Sequence, residues 1–383
     1  MAPNTQALAI PSATVQCHAS NILQLPDKTL LCTWFGGSQE GLPDICIWLS
    51  RFAPGAKEWS PAQKISSDEN RSCQNPVLFR APNTGYLWLF HTSQDGGNQD
   101  GCLVMARTSS DEGKTWSDAK YPLKGQTGVF VRQPVVVLND GTWVLPVFYC
   151  RATPGYRWIG NNDIAGVFYS KDNGETWTES LVPESLGCVH MNIIAPSAND
   201  TNFVAVYRSR WADNIYRSTS SDGINWTPPK ATVLPNPNSG ICAARLSSGA
   251  IAIVFNRSAA EADQQRREGL YDDITPESDK RVNQPAVGDK SAIWGTPRKT
   301  LTLGVSKDDG ETWTQRVLEE GDGFCMTNNS IEKTNRELSY PSILVEKTDG
   351  ADVAHVGFTF HRQYIKYVRV EDPEAWVAQD PIA

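Results

Sequence analysis

The chain has 383 residues, about twice the usual domain size, yet large β architectures run past that length as one domain. Its 35 Lys and Arg against 43 Asp and Glu give a net charge of −8, which argues against nucleic-acid and anionic-membrane partners. No apolar run approaches the roughly 20 residues that a membrane helix needs, so no membrane partner is predicted.

The N-terminal stretch and the cysteines both favour a cytoplasmic protein. Residues 1–13 contain no basic start followed by an apolar core, so we expect no secretory signal. The nine cysteines are an odd number, are scattered without CxxC spacing and mostly lie in apolar runs. They predict reduced core thiols rather than disulfides or a zinc site, and no metal or other cofactor is predicted.

An eight-residue pattern recurs along the chain. Its full copies are Ser109 to Trp116, Ser170 to Trp177 and Ser306 to Trp313, with a shortened copy at Ser220 to Trp226 and a remnant ending at Trp59. The pattern S-x-D-x-G-x-T-W predicts a hairpin turn, in which Ser and Asp side chains bind turn amides, Gly takes a positive φ and Trp packs on the sheet. It resembles the Asp-box (BNR) repeats of sialidase-like β-propellers.

A second unit, an apolar strand, a turn and another apolar strand, recurs between the boxes. Its six turns lie at Pro26-Asp27, Asn83-Thr84-Gly85, Asn139-Asp140-Gly141, Asn199-Asp200, Ser248-Gly249 and Asp349-Gly350. Six turns predict an all-β, six-bladed β-propeller with Asp-box hairpins and four antiparallel strands in each blade. The sixth blade lacks a fourth strand, and the N-terminal stretch Gln6 to Ile10 is expected to supply it and close the ring.

The spacing of the turns predicts a single domain over residues 1–383. The interval before the last turn is nearly twice the others, and the excess lies in a polar segment, residues 257–297, between the second and third strands of blade five. This insertion emerges on the face opposite the boxes, where it is placed to act as a lid over an axial pocket. Its run from Gln264 to Glu268 fits a solvated helical turn equally well.

Polar residues occupy nearly all the strand ends that this topology brings to the box-free face. Ends of inner strands line the central pocket of a propeller, so we expect the functional site there, although polar strand ends also occur simply because they meet water. The predicted substrate-binding residues are Asn75, Arg132, Gln133, Arg208, Arg210, Asn238, Arg298 and Arg362, with Trp211 and Trp294 from the adjoining loops.

The resemblance to sialidases implies an arginine triad for a substrate carboxylate, an Asp acid/base and a Tyr nucleophile paired with Glu. Tyr340 matches the nucleophile and Arg298 matches one triad position. Asp44 lies near the acid/base position, with Glu40 as a competing candidate. His18 stands where a triad Arg is expected, and His190 stands in the strand that should bring Glu to Tyr. A histidine cannot reproduce the two-pronged grip of a guanidinium on a carboxylate.

The predicted catalytic set is therefore Tyr340, Asp44, His18 and His190, and it leaves several chemistries open. The first is hydrolysis of a glycoside of a sugar or sugar acid. The second is a non-hydrolytic reaction, either β-elimination on a uronate or a small-molecule cyclisation or cycloaddition directed by orientation. The third is a binding propeller without catalysis. The expected partner in each case is a saccharide or another small molecule, and the sequence does not indicate an oligomeric state.

Overall fold

The computed structural model describes residues 5–95, 98–197, 201–261, 281–321, 337–348 and 350–382. Its strands form six sheets, each a blade of a six-bladed β-propeller. The predicted fold is thereby confirmed. Within the described residues no helix is long and apolar enough to cross a membrane.

The strands follow the chain blade by blade. The first strand is β1 (Thr5–Ile10). Blade one contains β2 (Gln16–Gln24), β3 (Leu30–Gly37), β4 (Cys46–Phe52) and β5 (Gln63–Lys64). Blade two contains β6 (Ser72–Arg80), β7 (Leu87–Asp95) and β8 (Asn98–Ser109). Blade three contains β9 (Val129–Val131), β10 (Val136–Val137), β11 (Trp143–Tyr149), β12 (Ile164–Ser170) and β13 (Thr178–Leu181).

The remaining blades have the predicted four strands. Blade four contains β14 (Cys188–Ile194), β15 (Phe203–Ser209), β16 (Asn214–Ser220) and β17 (Lys230–Pro235). Blade five contains β18 (Cys242–Arg245), β19 (Ile251–Asn256), β20 (Thr300–Ser306) and β21 (Thr314–Glu320). Blade six contains β22 (Leu338–Glu346), β23 (Val353–Phe360), β24 (Tyr364–Glu371) and, at its outer edge, β1. A short helix, α1 (Pro373–Gln379), follows β24.

The ring is closed by the N-terminal strand, as predicted. Strand β1 pairs antiparallel with β24 from Thr5 opposite Val370 to Ile10 opposite Ile365. Ile10 is fully buried and packs in a cluster with Ile365. The pairing covers the outer edge of β24, which would otherwise present unpaired backbone groups.

The prediction of four strands per blade is wrong in two blades. In blade three, β9 and β10 both pair with β11 because the inner strand is interrupted around Pro134, which has no N–H to donate. In blade two the described sheet has three strands. The segment after its box pairs with β8 through an isolated bridge between Ala106 and Lys120 and a bond from the Ser117 amide to the Thr108 carbonyl, without forming a strand. Pro122 follows the bridge by two residues.

The boxes form the predicted turns. In the second blade the Ser109 hydroxyl donates to Asp111 and accepts from the Gly113 amide, at 2.7 and 2.8 Å. The Asp111 carboxylate accepts from the Thr115 amide at 2.9 Å, and the Trp116 indole donates to the Gly113 carbonyl at 3.2 Å. The same bonds recur in the boxes of blades three and five. Gly113 has a φ of 79°, as the turn requires.

The turns predicted at Asn199-Asp200 and at Asp349 lie outside the described residues. The eight described cysteines are all free and buried, in agreement with reduced core thiols. Cys325 lies outside the described residues.

Candidate functional site at the propeller axis

A bulge recurs at the box-free end of four inner strands. The pairing register shifts after His18 in blade one, after Gln74 in blade two, after Val189 in blade four and after Ser339 in blade six. The next residue in each case has a left-handed backbone. These residues are Ala19, Asn75, His190 and Tyr340, with φ values of 60°, 50°, 53° and 50°.

A left-handed backbone is unfavourable for residues with a Cβ atom, and its recurrence at equivalent positions marks a built feature of the axis. A bulge inserts one extra residue and redirects the side chains beside it. Sequence reasoning missed these bulges because glycine, the usual signal for a positive φ, is absent from all four positions.

Tyr340 lies at the centre of the side chains that the bulges bring together. Its half-buried ring has its centroid 4.1 Å from that of His18 and 5.4 Å from that of His190. A Cβ atom built on Gly240 would lie 3.2 Å from Cγ of Tyr340, so the ring rests directly on this glycine. Residues from blades one, four, five and six thus meet at one tyrosine.

Arg208 is the side chain that hydrogen-bonds the Tyr340 hydroxyl, donating through Nη1. The same Nη1 lies 3.3 Å from Nε2 of His190, and Nε donates to Oδ1 of Asn238 at 2.7 Å. Burial lowers the pKa of Arg208 to about 10, so its guanidinium stays charged at neutral pH. A buried cation therefore faces the oxygen on which a phenolate charge would develop.

Arg132 spans the axis from blade three to blade six. Its Nη2 donates to the carbonyl oxygens of Tyr340 and Pro341, at 3.0 and 2.9 Å, and the residue is 1% exposed. Beside it, Nε2 of Gln133 donates to the Ile241 carbonyl at 2.6 Å. Arg132 thus holds the strained backbone of Tyr340, and Gln133 ties blade three to blade five.

Glu337, which sequence reasoning missed, is buried in the site, where its carboxylate accepts hydrogen bonds from several side chains. Its two carboxylate oxygens accept from Nη1 of Arg298 at 2.8 Å and from Nε of Arg362 at 2.7 Å. The Ser339 hydroxyl adds a bond of 2.8 Å, and Nε2 of His18 lies 3.8 Å away. Burial alone would raise the pKa of Glu337, but the charges of Arg362 and Arg298 hold it well below its usual range.

Arg362 reaches Glu337 from a tight turn between β23 and β24. His361 and Arg362 both have a left-handed backbone, with φ values of 51° and 57°. Hairpin turns usually use Asn or Gly at positions with a positive φ. The Arg362 guanidinium also donates to the buried Glu40 carboxylate at 2.5 Å, so it bridges two acids.

The two axial histidines are neutral imidazoles at neutral pH. Burial, followed by the charge of Arg362, lowers the pKa of His18 well below its ordinary value. Burial, followed by the charge of Arg208, does the same to the pKa of His190. His18 Nδ1 lies 2.9 Å from the Thr359 hydroxyl, which fixes its ring.

Arg210 lies in a separate buried pair beside the axial cluster. Its Nε and Nη2 both lie 2.8 Å from Oδ2 of Asp163, and its guanidinium lies 4.9 Å from the centroid of a Trp294 ring. The Asp163 carboxylate also accepts from the Trp158 indole at 2.8 Å. Trp211 is buried against Gly187, where an added Cβ atom would lie 2.2 Å from the indole. Both predicted loop tryptophans are therefore fixed in position.

The C-terminal part of the insertion, residues 281–297, is anchored on the box-free face. Its Ala292 amide donates to Oδ1 of Asn161 at 2.8 Å, and its Trp294 indole donates to the Ile159 carbonyl at 3.0 Å. The Arg157 amide donates to the Val282 carbonyl at 2.8 Å. This part forms a fixed wall beside Arg208 and Arg210. The predicted run from Gln264 to Glu268 lies outside the described residues.

The structure does not bring every predicted residue into contact with the cluster. Asp44 is exposed in its loop, and its carboxylate accepts from the Ser38 amide at 2.8 Å. Asn75 is buried, and its Oδ1 lacks a hydrogen-bond partner among the described residues.

The axial cluster, taken together with the Arg210–Asp163 pair beside it, carries an excess of positive charge. The two together contain five buried or half-buried arginines and three carboxylates. The arginines are Arg132, Arg208, Arg210, Arg298 and Arg362, and the carboxylates are Glu40, Asp163 and Glu337. With neutral histidines the surplus is two positive charges on a protein of net charge −8, so the site favours an anionic ligand. Across the described ranges, no cluster of three or more His, Cys, Asp or Glu is arranged to hold a metal.

Residues 28–354 match the BNR repeat-like domain family, so the chain belongs to that family of sialidase-like propellers. A sialidase of Paraclostridium sordellii is 37% identical over an alignment covering 26% of this chain and 29% of that protein. The alignment thus spans less than a third of that relative's length.

Solved structures share the fold at low sequence identity. The Hadza microbial sialidase Hz136 superposes with a TM-score of 0.67 at 15% identity, over 94% of this chain and 66% of its own. A protein of unknown function from Dyadobacter fermentans superposes with a TM-score of 0.66 at 14% identity, over 96% of this chain and 99% of its own. An intramolecular trans-sialidase from Ruminococcus gnavus superposes with a TM-score of 0.63 at 11% identity, over 94% of this chain and 96% of its own.

Proposed function

We propose that the protein is an enzyme that hydrolyses a glycoside of an acidic sugar at the propeller axis. The observation that carries the proposal is the Tyr340 hydroxyl, hydrogen-bonded by the buried Arg208 cation between two neutral imidazoles. The positive surplus of the cluster supports an acidic substrate. Membership of a family that includes sialidases supports a glycosidic bond as the target.

In the proposed reaction the Tyr340 oxygen attacks the anomeric carbon as its proton leaves for a neutral histidine. The bond from that carbon to the leaving oxygen breaks, and the leaving oxygen takes up a proton. Water then replaces the tyrosine oxygen on the sugar. The positive charge of Arg208 stabilises Tyr340 as its hydroxyl becomes anionic.

The proton donor to the leaving group is proposed to be Asp44. Its carboxylate is exposed at the box-free face, whereas the Glu40 carboxylate is occupied by Arg362. His18 and His190 are proposed to accept protons, because a neutral imidazole has a free nitrogen lone pair.

The test measures turnover of chromogenic glycosides of acidic sugars, sialosides and uronides included, in water enriched in heavy oxygen. We expect wild-type product to carry the label and Tyr340→Phe to lower kcat/KM roughly a thousandfold or more. Tyr169→Phe, on β12 away from the axis, is the matched control and should keep wild-type rates. Unchanged rates in both Tyr340→Phe and His18→Ala would contradict the proposal.

A second candidate is β-elimination on a uronate, favoured by the two neutral histidines beside a cationic cluster. An imidazole would remove the proton next to a carboxylate whose charge an arginine neutralises. The same experiment separates the two reactions, because elimination gives an unsaturated, ultraviolet-absorbing product without the oxygen label. A cytoplasmic location stays a prediction, and fractionation of the producing cells tests it.

A further inference from the structure

A groove with several positive charges lies between blades one and two, away from the axis. It has a volume of about 410 Å³. The part of its lining that bears on ligand binding is Lys64, Ile65, Ser66, Arg107, Lys114 and Trp116, which we name the basic groove. Strand β5 of blade one forms one side, and β8 with the box hairpin of blade two forms the other.

The cations of the basic groove have no acidic partner among the residues that the structure describes. Its lining contains no Asp or Glu, and within the described residues Lys64, Arg107 and Lys114 form no ion pair. Arg107 donates through Nη1 to the Ser117 carbonyl at 3.0 Å, while its buried Nε has no hydrogen-bond partner in the described part of the chain. Three uncompensated cations in one cavity of a protein with net charge −8 indicate an anionic ligand.

Among the three full copies of the box, only the copy in blade two has this positive charge. The box residue before Thr-Trp is Lys114 here, whereas it is Glu175 in blade three and Glu311 in blade five. Glu311 forms an ion pair with Arg217 at 2.9 Å. The hairpin does not require a lysine, since the other two full boxes fold with the opposite charge at this position.

The groove also presents a fixed aromatic surface. Trp116 is half-buried, and its indole is held by the bond to the Gly113 carbonyl. The Lys114 carbonyl accepts from Nε2 of Gln63 at 2.9 Å, which ties the hairpin to blade one. Sugar rings stack on such indole faces, and the cavity volume falls within the usual range of small-ligand sites.

We infer that the basic groove is a second saccharide site, which binds an anionic sugar residue. The acid group of the sugar lies among Lys64, Arg107 and Lys114, and its ring lies against Trp116. Charge-assisted hydrogen bonds from Lys and Arg give such a site its preference for acidic over neutral sugars. The site is independent of the chemistry at Tyr340.

The experiment is calorimetric titration of the full chain with a tetrasaccharide of galacturonate, with neutral maltotetraose in parallel. We expect the acidic tetrasaccharide to bind and the neutral one not to bind. The double variant Lys64→Glu with Lys114→Glu should weaken this binding by about tenfold or more, since two charge-assisted contacts are reversed. Both lysines are exposed, so folding is unaffected.

Two controls make the result specific to the groove. Lys171→Glu with Lys230→Glu makes the same change in net charge at exposed positions outside the groove and should leave the affinity unchanged. Tyr340→Phe should also leave it unchanged, which separates this site from the axial one. The inference is overturned if the two double variants lose affinity equally, if Tyr340→Phe abolishes binding, or if maltotetraose binds as tightly as the acidic tetrasaccharide.

Discussion

Tyr340 is held from three sides by contacts that fix its backbone and its ring. Arg132 binds the carbonyl oxygen of Tyr340, Arg208 binds its hydroxyl and Gly240 supports its ring. The left-handed backbone of Tyr340 is costly by about 1–3 kcal/mol and persists only because such contacts over-determine it. The position of the hydroxyl thus depends on the residues that surround it.

Gly240→Ala tests this dependence directly. The added Cβ atom would lie 3.2 Å from Cγ and 3.3 Å from Cα of Tyr340, which is tighter than ordinary contact, so the ring must shift by a few tenths of an ångström. A small misplacement of a reacting group costs up to about a hundredfold in rate, and we expect kcat to fall by roughly tenfold or more. The measurement is steady-state kinetics, with the free energy of unfolding from urea titration.

The matched control for Gly240→Ala is Gly350→Ala, where an added Cβ atom meets nothing within 4 Å. This control should keep both activity and stability. A Gly240→Ala variant with wild-type kcat would show that the ring position tolerates the shift.

At the scale of elements, the pairing of β1 with β24 holds the first and last parts of the ring together. Ile10 ends β1, is 0% exposed and packs beside Trp34 and Tyr367. Removing its side chain beyond Cβ leaves a cavity that packed neighbours fill only in part.

Ile10→Ala is therefore expected to lower the free energy of unfolding by about 2–4 kcal/mol. Urea titration followed by tryptophan fluorescence measures the change. Val15→Ala removes a β-branched side chain that is 58% exposed, and it should change stability by less than about 0.5 kcal/mol. Equal stability of the two variants would mean that β1 does not contribute to closure of the ring.

The stability of the whole molecule should depend on pH through its buried histidines. Burial lowers the pKa of His91 to about 4, and it lowers the pKa values of His18 and His190 well below 6.5. The unfolded chain has ordinary histidines, so below pH 6.5 it binds protons that the native state does not. Each such group removes about 1.4 kcal/mol of stability per pH unit as the pH falls.

These three histidines are therefore expected to lower the free energy of unfolding by up to about 4 kcal/mol per pH unit below pH 6.5. The lowered pKa of Glu337 acts in the same direction, since its contribution is lost as the pH falls below 4.5. Urea titrations at neutral pH and at pH about 5 give the slope. His91→Gln removes one titrating group and should reduce that slope by about 1.4 kcal/mol per pH unit. A wild-type free energy of unfolding that does not change with pH would contradict the assignment of neutral histidines.

Features governed by local chemistry and by repetition along the chain were predictable from the sequence. The residues of the box ending at Trp177 are sufficient to predict its turn. The regular spacing of the strands predicted that blade six needs a fourth strand from another part of the chain. The joint presence of His18, His190 and Tyr340 near the axis followed from the same topology.

Features that depend on contacts through space were not predictable. The bulge at His190 contains no glycine that would indicate a positive φ in the sequence. The contacts of Glu337 depend on two arginines from other parts of the chain. The split inner strand of blade three depends on Pro134, whose effect on pairing becomes evident only when its partner β11 is known. Sequence periodicity predicts which strand ends meet at the axis, while tertiary packing determines which groups touch.

Closure of the ring by β1 has a consequence for the order of events during synthesis. Strand β1 is made first, but its partner β24 is separated from it by more than 350 residues. As the chain leaves the ribosome, blades one to five have all their described strands before β24 is available. Ile10 and its neighbours remain without their partner strand throughout that interval, so the nascent protein relies on late, long-range pairing, which is slow and open to aggregation.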